Sequence, residues 1–307
     1  MAGNPFVRLS RIFCHVWGEY SLFRLAYRGG SSEDMIIRKR AHHLTKILIH
    51  PDRYSQSLKQ RLRGELADLL VANQGWKQRS WFQWAEDILT VYDGSTGQQG
   101  QHQESEIPSI GRPTTDPEKA VRQHSLVDIE NLLELMRQRR SSRNFEKGGI
   151  ISSQELHALV EAALHAPSAC NRQPMYFLSV TDLALKTRLA QTCPGGSEFF
   201  ADAACLLLVL VDASDYRYPE NRYQPWLDTA AAIQNLLLAA QSMRLAVCWG
   251  DYPPAHAKNL KKKLRQDLGI DDKYLATACL AIGRVAAKPG PVPRVMPAER
   301  LFLNRMV

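Results

Sequence analysis

A chain of 307 residues with 45% hydrophobic and 23% charged side chains has the composition of a folded protein and the length for one large or two modest domains, which excludes a disordered, fibrous or small disulfide-stapled chain. Lys and Arg outnumber Asp and Glu by 39 to 31, and six of the eight excess positive charges fall in residues 1–92, where 14 basic side chains stand against 8 acidic ones. No zinc finger, helix-turn-helix signature or aromatic-basic RNA motif accompanies that excess, so it reads as a solvated helical surface and no nucleic-acid partner is expected.

In chain order, residues 1–92 come first and read as a helical accessory module of about three to five helices. Phe6, Leu9, Phe13, Val16, Trp17 and Tyr20 recur at three- and four-residue steps, and Leu58, Leu62, Leu66, Leu69 and Leu70 do so again, punctuated by Gly29-Gly30 and Pro51-Asp52. Arg8, Arg11 and His15 lie near the other side of the first stripe, which suits a lipid surface or packing against the rest of the chain; packing is the expectation, not membrane docking. Residues 93–123, rich in Gly, Gln, Ser, Thr and Pro, read as a linker or surface arm.

Residues 124–307 alternate between helical and strand-like patterns. Ser125 with Asp128 and Ser152 with Glu155 are N-cap pairs, opening helices that run to about Arg139 and Leu164. Strand-like runs at 175–180, 203–211, 246–249 and 275–282 are separated by helical patterns at 182–192, 226–244 and 255–268. An α+β or α/β layered domain with strands buried on both faces follows. The apolar run at 203–211 is too short to span a bilayer, and 226–247 is interrupted by Asp228, Gln234, Asn235, Gln241 and Arg244. Cys14, Cys170, Cys193, Cys205, Cys248 and Cys279 form no CxxC pair or metal-spaced cluster. Reduced thiols, no metal and, with no secretory leader in MAGNPFVRLSRIF, a cytoplasmic location are the expectations.

Four stretches carry candidate chemistry. Arg139-Arg140-Ser141-Ser142-Arg143 ends a helix, where cations can complement the helix dipole or, as guanidinium forks beside hydroxyls, grip an anion. Ala166-Pro167-Ser168-Ala169-Cys170-Asn171-Arg172-Gln173-Pro174 joins a helix to a strand, with amides free to donate and accept. Cys248-Trp249-Gly250-Asp251 ends a strand, a common place for ligand contacts. Arg294 lies in the extended segment KPGPVPRVMP, which could bring it back to the same anion.

In their order and spacing, RRSSRNF, APSACNRQP, LDTAAAIQNLLLAAQSMRLAVCWGD and LAIGRVAAKPGPVPR resemble the FMN-dependent nitroreductase family over residues 125–307. The resemblance implies an α+β fold: a nitroreductase-like three-layer α/β/α domain, here preceded by an all-helical module, in a homodimer with FMN bound at the subunit interface. It implies that Arg139 and Arg140 meet the FMN phosphate and ribityl chain with Ser141 donating, and that Arg143 lies beside the pyrimidine edge of the flavin. Pro167, Ser168 and Asn171 would line the isoalloxazine ring of the other protomer's FMN, with Gln173 close by. Trp249 and Gly250 would present backbone near flavin N5, and Arg294 would return to the phosphate. A guanidinium at the edge where the reduced flavin gathers negative charge favours reduction, which is the role expected of Arg143.

The chain departs from the family pattern at Met175, where a tryptophan is usual, and at Arg244-Leu245-Ala246, where a Gly-Leu-Gly turn is frequent. EYSLFRLAYRGG followed by IIRKRAHHLTKIL resembles the helical extension of nitroreductase-like proteins encoded with polysaccharide-biosynthesis genes. His43, Thr45, Lys46 and Ile47 stand where that group has a His-x-x-Glu-Lys-Gly-like run, so the Glu and Gly are absent. The functional expectation is ping-pong hydride transfer from NAD(P)H through FMN to an electron-poor small molecule of nitroaromatic or quinone type. The alternative is a non-catalytic FMN-binding scaffold that docks a partner through its basic helical module.

Overall fold

The computed structural model describes residues 33–49, 51–97, 129–193, 199–216, 221, 223–252, 260, 262–287 and 289–304. Helices α1 (Glu33–Ile49), α2 (Gln56–Ala72) and α3 (Ser80–Gly97) close around one apolar cluster. Each contributes a single stripe: Ile37, Ala41 and Leu44 from α1, Leu62, Leu66 and Leu70 from α2, Phe82, Ala85 and Ile88 from α3. The Ser55 hydroxyl accepts from the Leu58 amide and starts α2. The helix expected around residues 6–20 and the Gly29-Gly30 break lie outside the described residues.

Helix α3 runs to Gly97, past residue 93 where the composition turns polar. Tertiary contact overrides local propensity there: the Arg63 guanidinium of α2 grips both oxygens of Asp93, at 3.0 and 2.8 Å, and the Ser95 hydroxyl donates to the Tyr92 carbonyl. The rest of the expected arm, with Ser125 and Asp128, lies outside the described residues.

Four antiparallel strands form one sheet in the order β1-β2-β4-β3. They are β1 (Met175–Val180), β2 (Cys205–Asp212), β3 (Leu245–Asp251) and β4 (Tyr274–Arg284). Around them lie α4 (Ile129–Gln138), α5 (Ser153–Leu164), α6 (Leu183–Ala190), α7 (Gln224–Ser242) and α8 (Lys262–Asp267). The strand-like runs in the sequence thus all become strands: β1 matches its run, and β2, β3 and β4 extend one to three residues beyond theirs. Ala203 and Ala204 are the exception and precede β2. Of the helical pattern at 255–268, α8 occupies 262–267, and 253–259 lie outside the described residues.

The central strands are apolar on both faces because both faces are covered. Leu206, Leu208 and Leu210 pack with Leu189 of α6 and Leu264 of α8, while Leu207, Val209 and Val211 pack with Leu159 of α5 and Ile233 and Leu236 of α7. This is the three-layer α/β/α arrangement expected. The pairing of β2 with β4 shifts between Val209 and Leu210, which leaves Thr277 as the extra residue of a bulge. The Thr277 hydroxyl, buried, lies 2.9 Å from that of Thr229 and satisfies the local polar group. Helix α5 opens with the expected capping box: the Ser152 hydroxyl accepts from the Glu155 amide and the Glu155 carboxylate accepts from the Ser152 amide.

Candidate functional site

After α4 the chain lies along the outer edge of β3: the Ser142 amide donates to the Val247 carbonyl at 3.0 Å, and Phe145 bridges Val285. That pairing fixes the arginine cluster beside the sheet. Arg139 is half-buried, and its guanidinium is held below the usual arginine range first by lost solvation and then by the neighbouring Arg294 and Arg140 cations. Arg294, 155 positions further along the chain, is near enough for its charge to act on Arg139. Among the described residues no carboxylate pairs with Arg139, Arg140, Arg143 or Arg294. Arg139 and Arg140, half-buried, with the exposed Arg143 and Arg294 near them and no carboxylate pairing, are a fit for a phosphate.

The members of this cluster differ in what they can offer. The Arg140 Nη1 donates to the carbonyls of Arg137 and Arg139, the latter at 2.8 Å, and so closes the C-terminus of α4. Both readings of the cations at this helix end thus have a place, because Arg140 Nε is buried with no hydrogen-bond partner among the described residues. Ser141 is exposed beside it, and Ser142 is buried, its amide spent on Val247.

Further along β3, the Arg143 guanidinium sits 5.7 Å from the Phe199 ring centroid. It is also close enough to Cys248 to offset part of the rise that burial imposes on that thiol. Trp249 is exposed while Gly250 is buried against Phe200. A Cβ at Gly250 would lie 2.7 Å from the Phe200 ring, so only glycine lets the strand approach there. Arg143, Trp249 and Gly250 therefore share the β3 end of the sheet.

The loop at 167–173 is at the other edge. The Pro174 carbonyl accepts from the Asp212 amide where β1 begins. Order β1-β2-β4-β3 puts three inter-strand spacings, roughly 14 Å, between β1 and β3. Residues 167–173 and the arginine cluster are thus on opposite edges of one subunit's sheet. Within the loop, Cys170, Asn171 and Gln173 all have positive φ, at 53°, 53° and 49°. The Ser168 hydroxyl accepts from the Gln173 amide at 2.9 Å, and the Gln173 side chain donates to that of Asn171 at 3.0 Å. Pro167 is exposed at the loop's rim.

Sequence reasoning missed the residues that hold this loop. Asp228 of α7, only 3% exposed, accepts from the Ala169 amide, from the Tyr216 hydroxyl at 2.8 Å and from the Gln224 amide group. The Arg172 guanidinium donates to the Ala169 carbonyl and stacks over the Tyr216 ring. The available signal was a carboxylate in the first turns of an otherwise apolar helix, which on burial must find donors. The run His43, Thr45, Lys46 and Ile47 carries no such arrangement: the His43 imidazole is pushed down to about 4 by burial and nearby cations, Thr45 donates to the Ala41 carbonyl, and Ile47 is in the helical core.

Comparison with known proteins bears on this geometry. The nitroreductase family model matches residues 136–196 and 191–284, which include the arginine cluster, the loop and the sheet. A protein of Archaeoglobus fulgidus, described as a candidate NADH dehydrogenase/NAD(P)H nitroreductase, is 30% identical over 157 residues, covering 50% of this chain and 86% of that protein. A structure from Parabacteroides distasonis with the same description superposes with a TM-score of 0.50 at 24% identity, over 57% of this chain and 99% of that one. The NADPH:FMN oxidoreductase of Vibrio harveyi, solved with NAD+, gives 0.50 at 22% identity over 58% of this chain and 78% of its own, a likeness of fold. With the motifs in order, the antiparallel three-layer domain formed and the matched relative covered over most of its length, the chain belongs to the nitroreductase family.

Proposed function

We propose that this chain is an FMN-dependent oxidoreductase that takes a hydride from NAD(P)H and passes it to an electron-poor small molecule of nitroaromatic or quinone type. The observation that carries the reading is the gathering of the half-buried Arg139 and Arg140 with the exposed Arg294 into one cationic spot, with Arg143 beside β3. FMN, when bound, supplies the hydride-carrying centre, so the chain itself needs no nucleophile. Arg139 and Arg294 hold the phosphate with Arg140 Nε as a further donor, and Ser141 reaches the same group. Arg143 sets its positive charge at the flavin edge that gains electron density on reduction. Trp249 and Gly250 lend backbone near the flavin N5. The names of the relatives, nitroreductases and NAD(P)H-linked enzymes, support the reductant and the class of acceptor.

The same reading requires a homodimer. Pro167, Ser168, Asn171 and Gln173 lie on the opposite edge of the sheet from the arginine cluster, which supports a site that takes its loop from a second copy of the chain. The C-terminal arm supports this: Leu301 and Leu303 are 68% and 78% exposed, apolar surface that a second protomer would cover.

The absorbance spectrum of the purified protein tests the proposal, recorded before and after anaerobic NADH and NADPH. Flavin bands that bleach with reductant and return with a quinone are expected. Bound flavin that neither nucleotide bleaches would favour the scaffold alternative, and a protein that takes up no FMN would overturn the reading.

A further inference from the structure

Helix α1 of the module packs against the loop at 168–173, and one of its buried side chains bonds the loop backbone. Arg38 of α1 is 5% exposed, its guanidinium 5.3 Å from the Trp81 ring centroid of α3, and its Nε donates to the Arg172 carbonyl at 3.1 Å. Residues 38 and 172 are 134 positions apart, so this contact joins the module to the loop directly.

The bond falls on one particular peptide unit. Arg172 is in the right-handed helical region, φ −66° and ψ −32°, and Gln173 follows in the left-handed region at φ 49°. Rotating the peptide between them would carry Gln173 from a positive to a negative φ. A negative φ is what a non-glycine residue prefers. The observed conformation therefore persists only because its surroundings hold it. Two bonds hold that peptide: its N–H donates to the Ser168 hydroxyl at 2.9 Å, and its C=O accepts from Arg38. The first is internal to the loop, whereas the second comes from the module.

We propose that the helical module locks this peptide in its strained orientation through Arg38, which makes Arg38 a positioning residue for the redox site. The lock aims the Asn171 and Gln173 side chains, already joined to each other, as a preformed pair on the flavin-facing loop. Its role in the reaction rests on the flavin reading above; its existence in the loop does not. Asp228 and Tyr216 fix the Ala169 end from the sheet side, while the Arg172 carbonyl takes its bond from the module.

The test uses the full chain as Arg38→Gln and Arg38→Lys, with Arg40→Gln as control, since Arg40 pairs with Glu65 of α2. Hydrogen exchange of amides 169–173 in the FMN-free protein reads the lock, and FMN titration by quenching of flavin fluorescence reads its consequence. In Arg38→Gln, exchange at these amides should rise at least tenfold and the Kd for FMN should rise at least tenfold, with an unchanged thermal midpoint. Arg38→Lys should recover part of both, and Arg40→Gln should match the wild type. Wild-type exchange in Arg38→Gln would overturn the lock. Equal effects in Arg38→Gln and Arg40→Gln would also overturn it, by assigning the change to the module's general stability. A loop that loosens as expected while the wild-type protein binds no FMN would instead overturn the flavin reading and leave the lock standing.

Discussion

Arg139 and Arg143 sit four residues apart and face different tasks. Arg139 is the half-buried centre of the cationic cluster, so on the proposed function Arg139→Ala would remove a charge-assisted phosphate contact worth about 1.5–3 kcal/mol. FMN affinity should fall roughly 10- to 150-fold in an equilibrium titration. Arg143 lies beside Cys248 and Phe199, and in the proposed site its charge would act on the flavin ring, most in the reduced state. Arg143→Gln should lower the midpoint potential by on the order of 30 mV, the equivalent of about 1.4 kcal/mol for two electrons, with a smaller change in affinity. A potentiometric titration showing an unchanged midpoint and collapsed affinity would make Arg143 a phosphate ligand. Glu155 offers a separate pH test. Its fork to Arg284, at 2.7 and 2.9 Å, together with the Ser152 amide, lowers its carboxyl from 4.5 to about 2. A depressed carboxyl stabilises the fold above its unfolded pKa, and that contribution is lost as pH falls from about 4.5 towards about 2. Glu155→Gln keeps an acceptor for the N-cap and removes only the ion pair, so it should cost about 1 kcal/mol at neutral pH, allowing for solvent screening. The difference from wild type should vanish in unfolding curves at pH 2.

Elements are positioned here by a few close approaches that sequence patterns do not display. Strand β3 can lie against Phe200 because residue 250 is glycine, and Phe200 is buried with no room to swing. Gly250→Ala should therefore destabilise the domain by about 1–3 kcal/mol and lower the thermal midpoint, since the ring or the strand must move. The shift would also displace Phe199, next in the chain, from under Arg143. Strand existence was legible because 203–211 is an unbroken apolar run and 275–282 is interrupted only by Thr277, so both need cover on both faces, and helix α5 was legible from its capping box. The end of α3 was not: residues 93–97 read as a linker, and the Arg63–Asp93 contact that keeps them helical joins positions 30 apart.

The whole molecule presents its proposed half-sites on opposite sheet edges and leaves a C-terminal arm with exposed leucines. Charging that arm should separate assembly from folding: Leu301→Glu with Leu303→Glu should sediment as a monomer, keep its circular dichroism spectrum and lose FMN. A dimer that persists in this variant would show that the arm is not the interface. The helical module adds positive charge and its own core, with Arg38 as its contact to the loop.

The sequence alone determined the layered domain, the helical stripe of residues 58–70 and the family, because each is written in periodicity, caps and motif order. It also named residues 167–173 as a loop of interest. Only the tertiary structure decided which groups hold that loop. Asp228 looked like an interruption in an apolar helix, and Arg38 like one cation in a basic run. Burial gives both their meaning: a carboxylate and a guanidinium removed from water must find partners, and the partners lie 59 and 134 positions away along the chain.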